Sequence, residues 1–173
     1  MDPLSQATLG AAAAQSVIKK ADLARIGLIG ALAGMAPDLD VLIQSPTDPL
    51  LQLEYHRQFT HSLVFIPIGA LVCAVAFWPF VRRHMSFKAI WLTALAGYAT
   101  HGLLDACTTY GTLLLWPFSD ARIAWNTISV VDPLFTLPLL GFVLAAGVKK
   151  SQLIGRLGIA WVAFYLWIGV IQE

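Results

Sequence analysis

Residues 62–81, Ser-Leu-Val-Phe-Ile-Pro through Trp-Pro-Phe-Val, run for twenty positions without a single charge. An α-helix rises 1.5 Å per residue, so the run covers about 30 Å, the thickness of a bilayer's hydrocarbon core. The pattern predicts a membrane-spanning helix. Composition agrees: 58% of the chain is hydrophobic, only 12% is charged, and its mean hydropathy is +0.72. A soluble domain has an apolar share of roughly 45–50%.

Three more spans follow from the same reasoning. Residues 87–106 are apolar until His101 and Asp105, residues 133–148 carry no charge, and 153–171 are broken only by Arg156. Pro67 and Pro138 fall inside spans, where neighbouring helices can satisfy the freed carbonyls. Towards the N-terminus, 4–18 is Ala-rich and 21–36 is apolar with Gly27, Gly30 and Gly34. The Gly30-x-x-x-Gly34 spacing suits close helix contact. Each of these two segments is short for a span and predicts a short helical hairpin or tilted helices. The expected fold is all-α: a polytopic membrane helical bundle of about six helices, four spans plus that hairpin. Its 173 residues form one domain, 1–173.

Charge orients the bundle. Lys19, Lys20 and Arg25 lie between helices one and two, Arg82, Arg83 and Lys88 between three and four, and Lys149, Lys150 and Arg156 between five and six. Nine of the eleven basic residues thus fall at one end of an up-down model. By the positive-inside rule that end is cytoplasmic. Loops 37–61 and 107–131 then face outward. The net charge of +1, with no basic run interleaved by aromatics, excludes a nucleic-acid partner. Met1-Asp2-Pro3 lacks the basic start of a cleavable signal peptide, so the first helix is expected to stay in the mature fold. Cys73 and Cys107 are expected at different depths, without a disulfide.

In so apolar a chain, ionisable groups next to lipid mark function. Asp38, Asp40, His56, His61, His101 and Asp105 all fall at the outward ends of helices. His101 and Asp105 are four apart and share a helix face. They suit a common metal, a carboxylate orienting an imidazole, or a buried structural pair. Asp38-Leu-Asp40 ends helix two, where the macrodipole disfavours acid, so capping does not account for it. Its oxygens can serve one cation or two. His56 and His61 converge if the chain turns between them, with Thr60 capping helix three. Arg57 could pair with a phosphate or with Asp40. Glu54 lies on the same side as a candidate general base. His84, in the basic turn at the other end, reads as a solvated loop residue. Trp78, Trp91, Trp116 and Trp125 read as interfacial anchors.

The start Met-Asp-Pro-Leu, the Pro37-Asp-Leu-Asp40 turn, His56-Arg57-x-x-Thr60-His61-Ser62, His101-x-x-Leu-Asp105, and Thr109-Tyr-Gly-Thr through Leu115-Trp-Pro117 occur together in this order. Over almost its whole length the chain resembles the bacterial inner-membrane metal-dependent hydrolases typified by YdjM. That family is grouped with zinc-dependent phospholipase C and the single-strand-specific zinc nucleases, and the His-x-x-x-Asp helix motif of those enzymes is similar to His101 and Asp105. The resemblance implies six metal ligands: Asp38, Asp40, His56, His61, His101 and Asp105. The chain departs from the family pattern at Gln6, where a histidine is common.

These readings converge on an integral membrane metal-dependent hydrolase. Its expected cofactor is a divalent metal, zinc foremost, as one to three ions that activate water. Asp38 or Asp40 would accept the water's proton and Arg57 would meet phosphate. The site would lie on the periplasmic face of the bacterial inner membrane. The substrate class would be a lipid head group or lipid-linked phosphate. Two rivals stay open: a metal or proton transporter, disfavoured because 62–81 and 133–148 hold no ionisable residue, and a catalytically silent membrane scaffold.

Overall fold

The computed structural model describes residues 1–18, 22–45, 47, 48, 51 and 55–172. Lys19, Lys20 and Glu54 lie outside the described residues. Among the described residues six α-helices follow one another: α1 (Pro3–Val17), α2 (Leu23–Met35), α3 (Ile66–Val81), α4 (Phe87–Ala106), α5 (Pro133–Lys149) and α6 (Gln152–Gln172). Three 3-10 turns, Ala36–Leu42, Phe59–His61 and Leu63–Phe65, connect α2 to α3. No strand forms among these residues, and one isolated bridge ties Thr112 to Ile123. The fold is all-helical, as the sequence predicts.

The few polar residues outside the site do local work. Asp2 starts α1 by accepting from the Ser5 N–H at 3.0 Å, with Pro3 next in line. Asp22 starts α2 through the Arg25 N–H at 2.9 Å. Asp132 starts α5 by accepting from Leu134 and Phe135, again followed by a proline. Each carboxylate satisfies amide donors that a first turn leaves orphaned, and a proline there has no N–H to lose.

Two expectations need correction. Thr60 does not cap α3: that helix begins at Ile66 behind two 3-10 turns, and its N-cap residue Phe65 makes no side-chain cap. The Thr60 hydroxyl donates instead to the Asp40 carboxylate at 2.9 Å, an ionised acceptor that outcompetes a neutral backbone partner. Pro67 lies in the first turn of α3 rather than inside it, while Pro79 and Pro138 are the interior prolines. Of the four expected spans, two have both the length and the apolarity to cross a membrane: Leu63–Val81 and Gln152–Gln172. Helix α5 is apolar but has only 17 residues. Helix α4 has 20 residues, yet Lys88, His101 and Asp105 interrupt its apolar character.

Helices α1, α2 and α4 meet backbone to backbone. A Cβ placed on Gly10 would fall 2.5 Å from the Gly30 carbonyl oxygen, and one on Gly34 would fall 2.8 Å from that of Gln6. Only a missing side chain permits this approach. On the far side of α1, the aliphatic and aromatic core of Leu9, Ala12, Phe135, Leu139 and Val162 joins α5 and α6.

The surface differs from that of a soluble domain, and polar groups join the apolar interior. Large apolar residues such as Val72, Phe80, Leu144 and Trp167 point outward, whereas Gln6, Gln15, His101 and Asp105 are buried. Gln15 shows what such groups do there: its amide donates to the Leu23 carbonyl at 3.0 Å and the Val143 carbonyl at 3.3 Å, joining three helices. Lipid tails are as apolar as leucine, so small-residue contacts and internal hydrogen bonds supply the specificity of helix packing in a bilayer.

Candidate metal centre

The close approach of α2 to α4 brings the Gly34 carbonyl onto the His101 ring, whose Nδ1–H donates to it at 2.5 Å. A carbonyl only accepts, so the neutral ring carries its lone pair on Nε2. His61 is held by a parallel device. Thr60 spends its one hydroxyl proton on Asp40, so the hydroxyl oxygen accepts from His61 Nδ1–H at 2.9 Å. That leaves the His61 lone pair on Nε2 as well.

The two Nε2 atoms face each other at 2.9 Å. Asp38 Oδ1 lies 3.2 Å from His101 Nε2 and 3.5 Å from His61 Nε2. Asp105 Oδ2 lies 3.3 Å from His61 Nε2 and 3.6 Å from His101 Nε2, and it has no hydrogen-bond partner although buried. Four donor atoms therefore point at one spot, all within 4.8 Å of one another. Facing lone pairs repel unless a cation sits between them. With metal–nitrogen bonds near 2.0–2.1 Å, a tetrahedral shell separates its ligands by about 3.3 Å, in line with these distances. The residues present fit a divalent metal such as zinc, and Asp105 Oδ2 is the orphaned atom that a cation would satisfy.

The electrostatics agree. Burial alone would raise the Asp38 carboxyl, but hydrogen bonds and charge from His101 and His61 outweigh it and hold the group far below the usual carboxylate range. Burial alone would depress the His61 imidazole; the Asp105 and Asp38 carboxylates beside its Nε2 outweigh that and raise it above its ordinary value. The cluster attracts positive charge, be it a proton or a metal ion.

Of the six residues singled out in the sequence, the structure brings Asp38, His61, His101 and Asp105 together. Asp40 and His56 stand one step behind. The Asp40 carboxylate is fully buried and already engaged: Oδ1 with His56 Nδ1 at 2.8 Å, Oδ2 with the Arg57 N–H at 3.0 Å and the Thr60 hydroxyl. A carboxylate behind a ligating imidazole fixes its ring and tautomer. His56 remains about one-third exposed at its outer edge.

Arg57 occupies the left-handed region at φ 62°. Its backbone N–H goes to Asp40 and its carbonyl accepts from Leu113 and the Thr112 hydroxyl, so the unusual conformation is pinned at both ends. The guanidinium consequently lies over the Tyr110 ring at 5.5 Å, with Nε 3.6 Å from Asp105 Oδ2. The sequence offered Asp40 as its partner; the backbone takes that role and the side chain turns towards the cluster.

Gln6 is fully buried beside the same cluster and donates to Asp105 Oδ1 at 2.9 Å, leaving its own Oε1 without a partner. The Met1 amine pairs with the same Asp105 oxygen. His84 is exposed at the opposite end of the bundle. Three contributors were not legible in the sequence: the Gly34 carbonyl, the Thr60 relay and the Tyr110 ring. The Gly-x-x-x-Gly spacing was the only signal for the first, since close packing is what exposes that carbonyl to His101.

Comparison with known proteins follows the same lines. Inner membrane protein YbcI of Escherichia coli (strain K12) is 36% identical over 114 residues, 61% of this chain and 62% of that protein. The uncharacterized protein YfhP of Bacillus subtilis (strain 168) is 29% identical over 112 residues, 64% of this chain and 34% of that protein. The matched segments thus span less than two thirds of either relative. No solved structure matches. The profile of the YdjM inner membrane protein family matches residues 1–173 in full, and the chain belongs to that family.

Proposed function

We propose that the protein is a multi-pass inner-membrane metal hydrolase that cleaves phosphoesters of membrane lipids or lipid-linked phosphates at the outer surface. The observation that carries this reading is the convergence of four lone-pair donors, with both histidine tautomers set from behind and one buried carboxylate oxygen left without a hydrogen bond. Asp38, His61, His101 and Asp105 would hold one ion, zinc by the balance of imidazole and carboxylate. The ion would supply Lewis acidity and a lowered water pKa.

The chain's own residues divide the remaining tasks. Asp40, through Thr60, keeps the His61 ring in register, and the Gly34 carbonyl does so for His101. Arg57, over the Tyr110 ring and beside the cluster, would offer a planar fork suited to phosphate oxygens. Asp38 is the exposed member of the cluster, with 31% of its side chain accessible, whereas both Asp40 oxygens are occupied. Asp38 would therefore be the aspartate that takes a proton from water as the water oxygen bonds to phosphorus, and that returns it to the departing alkoxide oxygen as the phosphorus–oxygen ester bond breaks.

One observation favours a second reading. Four protein donors close a tetrahedral shell, as in structural zinc sites, whereas catalytic sites keep a position open. A metal-stapled scaffold would look like this, and catalysis requires Asp38 to yield its place. The purified protein decides between them. Stoichiometric zinc, with chelator-sensitive hydrolysis of bis(p-nitrophenyl) phosphate and of phosphatidylglycerol vesicles, supports the hydrolase. Stoichiometric zinc with no turnover of either leaves the scaffold. Orientation is tested separately: a cysteine at Ser86 should react only from the cytoplasm and one at Ser119 only from outside, and labelling of both from the same side would overturn the six-helix arrangement.

A further inference from the structure

Helices α2 and α3 both pack on α4 but scarcely touch each other. The gap is a groove of about 550 Å³, open along its side and lined almost wholly by apolar atoms. Leu32 of α2 and Val72 and Phe77 of α3 form its walls, and Tyr98 of α4 forms its floor. Its lining follows the chain from Phe65 to Phe77, about 18 Å at 1.5 Å per residue. One leaflet of hydrocarbon is about 15 Å deep.

The upper end of the groove is what distinguishes it. Asp40 and Thr60 line it there, the two residues that hold His61 in place. Two other apolar grooves run along the bundle, of about 420 and 530 Å³. Neither is lined by a residue of the metal cluster or by its Asp40 and Thr60 supports. Tyr98 seals the base of the first groove. Its ring fills the space where Gly69 has no side chain, and its hydroxyl donates to the Thr60 carbonyl at 2.9 Å. The groove and the metal cluster therefore share one wall.

We infer that this α2–α3 groove seats one hydrocarbon chain of a phospholipid substrate, so that its phosphate lies at the metal cluster under Arg57. The inference rests on the proposed lipid phosphoesterase reading and adds where the tail goes. Leu32 and Val72, exposed at 41% and 62% on the two helices, are the apolar surface such a chain would cover. A chain laid there would place its head group at the end of the groove that Asp40 and Thr60 line.

The test uses the full-length protein in vesicles of phosphatidylethanolamine and phosphatidylglycerol, doped with a phosphatidic acid that carries a diazirine near the end of one acyl chain. Photolysis followed by peptide mapping should concentrate label on Val72, Cys73 and Phe77. Val72→Trp, which fills the groove from an exposed position, should cut that label at least fivefold with zinc content unchanged. Leu144→Trp, in the groove of about 420 Å³, should leave it intact. Val72→Ala, which cannot crowd the fold, should keep the label in place. Label spread evenly over α3, α5 and α6, or label indifferent to Val72→Trp, overturns the inference. Because the readout needs no turnover, focused label without hydrolysis sinks the enzyme reading alone, and hydrolysis with diffuse label sinks the groove alone.

Discussion

At one end of the bundle Asp40, His61, His101 and Asp105 are buried almost completely, each within reach of an opposite or complementary group. At the other, Arg82, Arg83 and His84 occupy a turn open to solvent. Both ends hold ionisable groups in an apolar chain, but water compensates one set and the protein must compensate the other. Burying a charge costs several kcal/mol unless partners replace its hydration. The buried end therefore has to be built to ångström accuracy, and the open end does not. The same substitution should have very different consequences at the two.

The largest effect should come from the cluster itself. His101→Ala or Asp105→Ala should each lower bound metal more than tenfold, measured by elemental analysis, with helical circular dichroism retained in detergent. Full metal occupancy in both variants would make them a structural pair and erase the contrast between the ends.

One step back, Asp40→Asn keeps the size of the side chain but weakens its hold on His56, Arg57 and Thr60. Loss of a carboxylate behind a ligating histidine typically costs 10–100-fold in metal affinity. A competition titration with a zinc chelator measures it. An unchanged affinity would show that Asp40 shapes the loop without orienting His61.

The pH dependence should reverse with metal. In the metal-free protein His61 is raised above its ordinary 6.5, so its stabilisation is complete below that value and is lost as pH rises through the folded one. Asp38 is lowered, so its stabilisation is present above 3.8 and is lost only as pH falls far below it. Both act in full between those values. The metal-free protein should accordingly melt higher at about pH 5 than at about pH 8. Metal competes with the proton for His61, so with zinc the order should invert. The same order with and without zinc would separate His61 from the ion.

Smallest is a paired change. Gln6 already donates to Asp105, and an imidazole there would bring a ligand where an amide now leaves Oε1 unsatisfied. Gln6→His should raise zinc affinity several-fold. His84→Ala, a solvated surface change, should stay within about 0.5 kcal/mol in stability and leave zinc unaltered. Loss of metal at His84 with none gained at Gln6 would place the centre at the wrong end.

Much of this was legible beforehand, and the reason differs by level. Helix positions follow from apolar runs and their caps, which are local: α4 occupies residues 87–106 in both the expectation and the structure. That acid and imidazole side chains gather at one end was readable because polar residues are scarce enough to stand out. Their division of labour was not. His56 and His61 sit in one motif, yet only His61 reaches the cluster, because Arg57 in the left-handed region turns the chain between them. Asp38 and Asp40 alternate in the sequence, yet the 3-10 turn Ala36–Leu42 sends one into the cluster and the other behind it.

By itself, then, the order of residues determined an all-helical, apolar-surfaced chain of the YdjM family with acid and imidazole gathered at one end. These are properties of short segments, set by hydropathy and helical rise. Only the tertiary structure decided which four atoms converge, which carbonyl sets a tautomer and which groove runs alongside the site's Asp40 and Thr60. Those depend on the approach of α2 to α4 through Gly30, Gly34 and Gly97, residues far apart in the chain. An interhelical distance is the sum of many weak contacts, and no single motif encodes it.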